Sequence, residues 1–92
     1  MTHAFDTLRR LESGGRLEDC VVRASGKGIM NGSQTVYGRC IKRFNRSFLE
    51  FCGGETGRES LRIPMHNIQS IEHSSRLIFI KKKVIERIYF RH

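Results

Sequence analysis

Apolar and polar residues form short clusters along the chain, and their period changes from one segment to the next. Phe5, Leu8 and Leu11 recur every three residues between Asp6, Arg9, Arg10 and Glu12, so the first dozen residues predict a short amphipathic helix. Ser13-Gly14-Gly15 stops it. A helix of that length does not persist alone, so its apolar stripe is expected to lie against a sheet. Residues 17–23 favour an extended chain and run into a loop composition, Ala24-Ser25-Gly26-Lys27-Gly28. Residues 35–41 alternate, with Val36, Gly38 and Cys40 on one side and Tyr37, Arg39 and Ile41 on the other. Residues 46–52 do the same, with Phe48 and Cys52 opposed to Leu49 and Phe51. The short connection Lys42-Arg43-Phe44-Asn45 predicts that these two strands form an antiparallel hairpin.

Gly53-Gly54-Glu55-Thr56-Gly57 is the strongest turn signal, and an extended stretch follows over residues 60–63. Pro64 removes a backbone donor and biases Ile63 to an extended conformation, which places that strand at a sheet edge. Met65, Ile68 and Ile71 are three apart, a spacing that fits a helical turn before a strand or a bulged strand. Ser74-Ser75 breaks the pattern, and residues 76–81 predict another strand. In the last nine residues Val84, Ile85, Ile88 and Tyr89 fit a helical stripe, while Val84, Glu86, Ile88 and Phe90 fit a strand, the reading preferred here.

Together these elements predict one α+β domain over residues 1–92. A single N-terminal helix packs on a strongly bent antiparallel sheet of five or six strands, which can curl toward a small, partly open barrel. A chain of 92 residues encloses one core and has no room for a second. No apolar run approaches the ~20 residues that cross a bilayer. The first residues lack the pattern of a secretory leader, so a cytoplasmic location is expected. Cys20, Cys40 and Cys52 are odd in number and widely spaced, which suits free thiols in a reducing compartment.

Charge changes the picture most. The net charge is +8, with five Lys/Arg against four Asp/Glu in residues 1–31 and twelve against five in residues 32–92. A compact body carrying that excess concentrates polyanions, and backbone phosphates are their commonest form. Two basic groups stand out. Lys81-Lys82-Lys83 follows an apolar strand, near Arg76, Arg87 and Arg91. Arg39, Lys42, Arg43 and Arg46 surround the expected hairpin turn and are interleaved with Tyr37, Phe44 and Phe48. Cations interleaved with aromatics suit single strands, because unpaired bases lie on rings while phosphates meet the cations. Phe44, inside the expected turn, is the aromatic best placed for exposure. The lysines also fit a solvated strand edge that resists aggregation.

His66 follows Pro64 at the end of a strand, where an imidazole can bind a phosphate or move a proton, and where it equally fits a structural role. His3, His73 and His92 have no metal-site spacing to it, so no metal is expected. Lys27 is followed by Gly28 rather than Ser or Thr, unlike a Walker loop, and no motif implies a cofactor.

Between residues 17 and 82 the chain resembles a family of small archaeal proteins described as RNA cyclic group end recognition domains. The resemblance is carried by Arg62-Ile63-Pro64-Met65-His66-Asn67-Ile68, by Ile71-Glu72 and by Arg76-Leu77-Ile78-Phe79-Ile80-Lys81-Lys82. These look like the family's IPxHRI segment, a short turn and a final strand ending in basic residues, with Ser47-Phe48-Leu49-Glu50-Phe51 as the preceding strand. Asn67 stands where the family has a basic residue, and Arg23-Ala24-Ser25-Gly26 where it has an HRG-like element. The resemblance implies recognition of RNA ends, including those with a 2′,3′-cyclic phosphate, in RNA processing or repair. It makes His66 the motif histidine and Lys81 and Lys82 its terminal cations.

The expected RNA-binding residues are therefore Arg39, Lys42, Arg43, Phe44, Arg46, His66, Lys81, Lys82 and Lys83. Binding without catalysis is the preferred reading. Two others stay open: a small basic ribonuclease or cyclic phosphodiesterase using His66, and a module whose basic face docks on an acidic protein or a ribosome.

Overall fold

Helix α1 (Ala4–Ser13) forms because Ala4, Thr7, Leu8 and Leu11 bury one stripe while Arg9, Arg10 and Glu12 stay in solvent. The computed structural model describes residues 3–26 and 32–81. The helix ends in a Schellman motif: the Gly15 N–H donates to the Glu12 carbonyl and the Arg16 N–H to that of Leu11, with Gly15 at φ +69°.

Seven strands follow among the described residues: β1 (Cys20–Ser25), β2 (Ser33–Tyr37), β3 (Ile41–Phe44), β4 (Phe48–Gly53), β5 (Glu59–Pro64), β6 (Ile68–His73) and β7 (Arg76–Ile80). They make two antiparallel sheets, ordered β2-β1-β6-β7 and β3-β4-β5. The chain passes between the sheets at two similar corners, a single 3₁₀ turn at Gly38–Cys40 and another at Met65–Asn67, each entered and left by extended residues. Core residues come from both sheets and the helix, among them Leu8, Val22, Val36, Leu49, Phe51, Ile63, Ile68 and Ile71.

The α+β architecture and the N-terminal helix are as the pattern predicts. The single sheet of five or six strands is corrected to seven strands in two sheets, which do not close into a barrel. The corners are the physical reason, since each interrupts the ladder where a continuous bent strand would have carried it. The hairpin is corrected too. Lys42, Arg43 and Phe44 belong to β3, and residues 35–37 pair with β1 instead of β4. The turn falls one residue beyond them because the Asn45 carboxamide oxygen accepts from the N–H groups of Ser47 and Phe48, at 2.7 and 3.0 Å. Leu17–Asp19 forms a 3₁₀ turn rather than the start of β1, while Ala24 and Ser25 belong to the strand rather than a loop. Strand β5 lies at a sheet edge and ends at Pro64, as expected. The predicted strand at the C-terminus lies outside the described residues.

Candidate nucleic-acid interface

The segments carrying three of the expected site residues are tied to one another at backbone carbonyls. The N–H of Met65 donates to the carbonyl of Ser47 at 2.8 Å, which ties the Met65–Asn67 turn to the turn carrying Arg46. Lys81 leaves β7 and its ammonium donates to the carbonyl of His66. The Arg46 guanidinium lies 4.9 Å from the centre of the Phe5 ring on α1. Arg46 and His66 are exposed and Lys81 is half-buried, and these hydrogen bonds bring the three segments that carry them together. His66 accepts through its carbonyl, and its exposed imidazole has no hydrogen-bond partner among the described residues.

A second group covers the outer face of the three-stranded sheet. Arg43 pairs with Glu50 across β3–β4, and Glu50 with Arg62 across β4–β5, so the three side chains form a row on the face opposite Leu49, Phe51 and Ile63. Arg43 Nε and Nη2 approach Glu50 Oε2 and Oε1 at 3.2 and 3.3 Å, and Arg62 Nε approaches Oε1 at 3.2 Å. The Glu50 side chain is 8% exposed while those of Arg43 and Arg62 are 67% and 60% exposed, so the guanidinium groups lie over the carboxylate and face solvent. Desolvation works to raise the Glu50 pKa, but the hydrogen bonds and charges of Arg43 and Arg62 outweigh it and hold the carboxyl below its ordinary 4.5. A lowered folded value means that this carboxylate contributes stability above the ordinary value, which is lost as pH falls through the folded one. Urea midpoints of the wild type and Glu50→Gln are therefore expected to differ at neutral pH and converge well below pH 4.5. A gap that persists in acid would show that the carboxylate is not held low.

The remaining expected residues are dispersed. Arg39, in the Gly38–Cys40 turn, lies 5.5 Å from the centre of the Tyr37 ring, itself half exposed. Lys42 is exposed beside the irregularity between Ile41 and Arg43. Phe44 is corrected: it is a half-buried strand residue, edge-on to Phe5 at 5.9 Å between ring centres and packed against the core, because Asn45 moves the turn past it. Lys82 and Lys83 lie outside the described residues. Arg23 is paired with Glu72.

Sequence reasoning missed Arg62, Glu50 and Phe48 as a unit. The Arg62 guanidinium lies 4.5 Å from the centre of the Phe48 ring. The available signal was one charge set between apolar neighbours in each strand, Glu50 between Leu49 and Phe51 and Arg62 between Leu61 and Ile63, which becomes readable as a pair only when the register is known.

Cys20 is buried and stands opposite His73 in the β1–β6 register. This is not an activated pair, because burial, helped by the Asp19 charge and opposed by a backbone hydrogen bond, pushes the thiol up to about 11. A concavity of about 340 Å³ lined by Thr7, Arg10, Leu11, Gly14, Arg16 and Ile78 includes none of the expected site residues. Compared with protein-family models, with curated proteins and with solved structures, the chain matches none of them. The reading of these surfaces rests on their own residues.

Proposed function

We propose that the protein binds RNA and recognises RNA ends at the surface bordered by Arg46, His66 and Lys81. The observation that carries this reading is the pair of hydrogen bonds, Met65 to Ser47 and Lys81 to His66, that draws three separate segments to one end of the molecule. A terminal phosphate there would meet a guanidinium, an ammonium and an imidazole, each a donor when protonated. The net charge of +8 supplies the long-range attraction that brings a polyanion to the surface. The resemblance to end-recognition domains falls on the same His66 and Lys81.

The test is a fluorescence titration with one short single-stranded RNA carrying either a 2′,3′-cyclic phosphate or a 3′-hydroxyl, at two salt concentrations. The cyclic end is expected to bind tighter, with an affinity falling by about 0.7 log units per tenfold rise in salt for every phosphate contacted. His66→Ala is expected to erase the preference between ends while leaving the salt dependence. Equal binding of both ends removes the end-recognition claim, and no binding of either at low salt removes the RNA reading.

A further inference from the structure

We propose that the outer face of the β3–β4–β5 sheet is a binding site for the backbone of single-stranded RNA, with Arg43 and Arg62 on phosphates, Phe48 beneath a base, and Glu50 as the residue that positions both arginines. The proposal rests on the RNA reading above and extends it from the end of the strand to the nucleotides behind the end.

Four observations carry it. The row Arg43–Glu50–Arg62 is cation, anion, cation across three adjacent strands, so it is neutralised only in part and keeps one positive charge on an open face. Second, the guanidinium groups are not used up: Arg43 commits two N–H groups to Glu50 and Arg62 one, out of the five each carries. Fixing the side chains in advance removes much of the rotamer entropy that a free arginine loses on gripping a phosphate.

Third, Phe48 is two residues from Glu50 on the same strand and therefore on the same face, half-buried, with Arg62 against its ring. An arginine held on an aromatic ring is a pairing on which unstacked bases settle without regard to sequence. Fourth, Phe48 pairs with Pro64, the residue before the Met65–Asn67 turn, so this face ends beside the turn that carries His66. A strand whose terminal phosphate sits at His66 would lead back over Phe48 to Arg62 and Arg43.

Glu50 makes the proposal separable from simple charge attraction. If only net charge mattered, Glu50→Gln would remove a negative charge from the face and tighten RNA binding. If Glu50 positions the arginines, the same substitution weakens binding although the face becomes more positive. The experiment is fluorescence anisotropy of a labelled single-stranded RNA with the whole chain, comparing the wild type with Arg43→Gln, Arg62→Gln, Arg62→Lys, Glu50→Gln and, as a charge control, Arg16→Gln. Thermal melts establish that each is folded.

Arg43→Gln and Arg62→Gln are each expected to lower affinity about tenfold and to reduce the salt slope by about 0.7. Arg62→Lys is expected to keep the salt slope and still lose affinity, because lysine lacks the planar fork. Glu50→Gln is expected to weaken binding severalfold, and Arg16→Gln to match the wild type within about twofold. Wild-type binding that Arg62→Gln and Arg43→Gln leave unchanged overturns this site while sparing the RNA reading. Tighter binding by Glu50→Gln overturns the positioning role. A wild type that binds no RNA overturns both.

Discussion

Replacing Gly38 by alanine is expected to lower the melting temperature by roughly 15 °C or to leave no folded protein, at a cost of about 3 kcal/mol or more. A Cβ at this position would stand 1.7 Å from the carbonyl oxygen of Leu17, 2.8 Å from its carbonyl carbon and 3.0 Å from the Cys20 sulfur. The first two are main-chain atoms, so no rotamer change relieves the clash. The Leu17–Asp19 turn would have to move off the Gly38–Cys40 turn, taking the start of β1 with it. Gly57→Ala is the comparison: its φ of +72° makes alanine strained, yet nothing lies within 4 Å of the added carbon, so a cost of only about 1 kcal/mol is expected. Circular-dichroism melts of the two variants decide the matter. Similar melting temperatures would show that the two turns do not pack as tightly as described.

The second large effect is expected at Ile71, where truncation to alanine should cost about 2–5 kcal/mol in urea denaturation and Ile71→Val about 0.5–1.5. Ile71 is fully buried on β6, which is paired on both edges, opposite Val22 on β1 and Phe79 on β7. A cavity there would open beneath helix α1 in the shared core, and the strands around it cannot close in without breaking register. A loss below about 1 kcal/mol for the alanine variant would mean that this part of the core is loosely packed.

Why Ile68 and Ile71 are both buried explains what could and could not be read from the sequence. Residues three apart cannot share a face of a regular strand. The β1–β6 ladder shifts register between Arg23 and Ala24, so Ser70 and Ile68 face consecutive residues and Gln69 is extra. The spacing of Met65, Ile68 and Ile71 therefore combines the two alternatives it predicted, a helical turn before the strand and a bulge within it. Helix α1, β4 and β5 were legible because each follows a single period, and β7 because Leu77-Ile78-Phe79-Ile80 is an apolar run set off by Ser74-Ser75. The corners were not, because a one-turn 3₁₀ segment is shorter than any period, and at Gly38 the apparent alternation ran straight across it.

The site was legible in its residue types and not in their partners. Arg43 was found from local charge density and Arg62 was overlooked, although both bind one carboxylate. Their common partner Glu50 is seven residues from one and twelve from the other, and only strand register brings the three into line. Phe44 failed for the opposite reason, a local one: the Asn45 side chain, not the cluster of cations, decides where the chain turns.

The pattern of strand pairing also bears on how the chain reaches this structure. Four of the five pairings, β1–β2, β3–β4, β4–β5 and β6–β7, join strands that follow one another in sequence. The fifth among the described residues, β1–β6, joins Cys20 to His73 and closes residues 20–73 into a loop. Local hairpins form on the microsecond scale, whereas a long loop must lose its chain entropy before any contact across it repays the loss. Closure of the β1–β6 seam is therefore the step expected to set the rate of folding. Until it closes, β1 and β6 each leave one edge unpaired and their apolar faces uncovered, and speed of closure is expected to bear on how much of the chain escapes association with its neighbours.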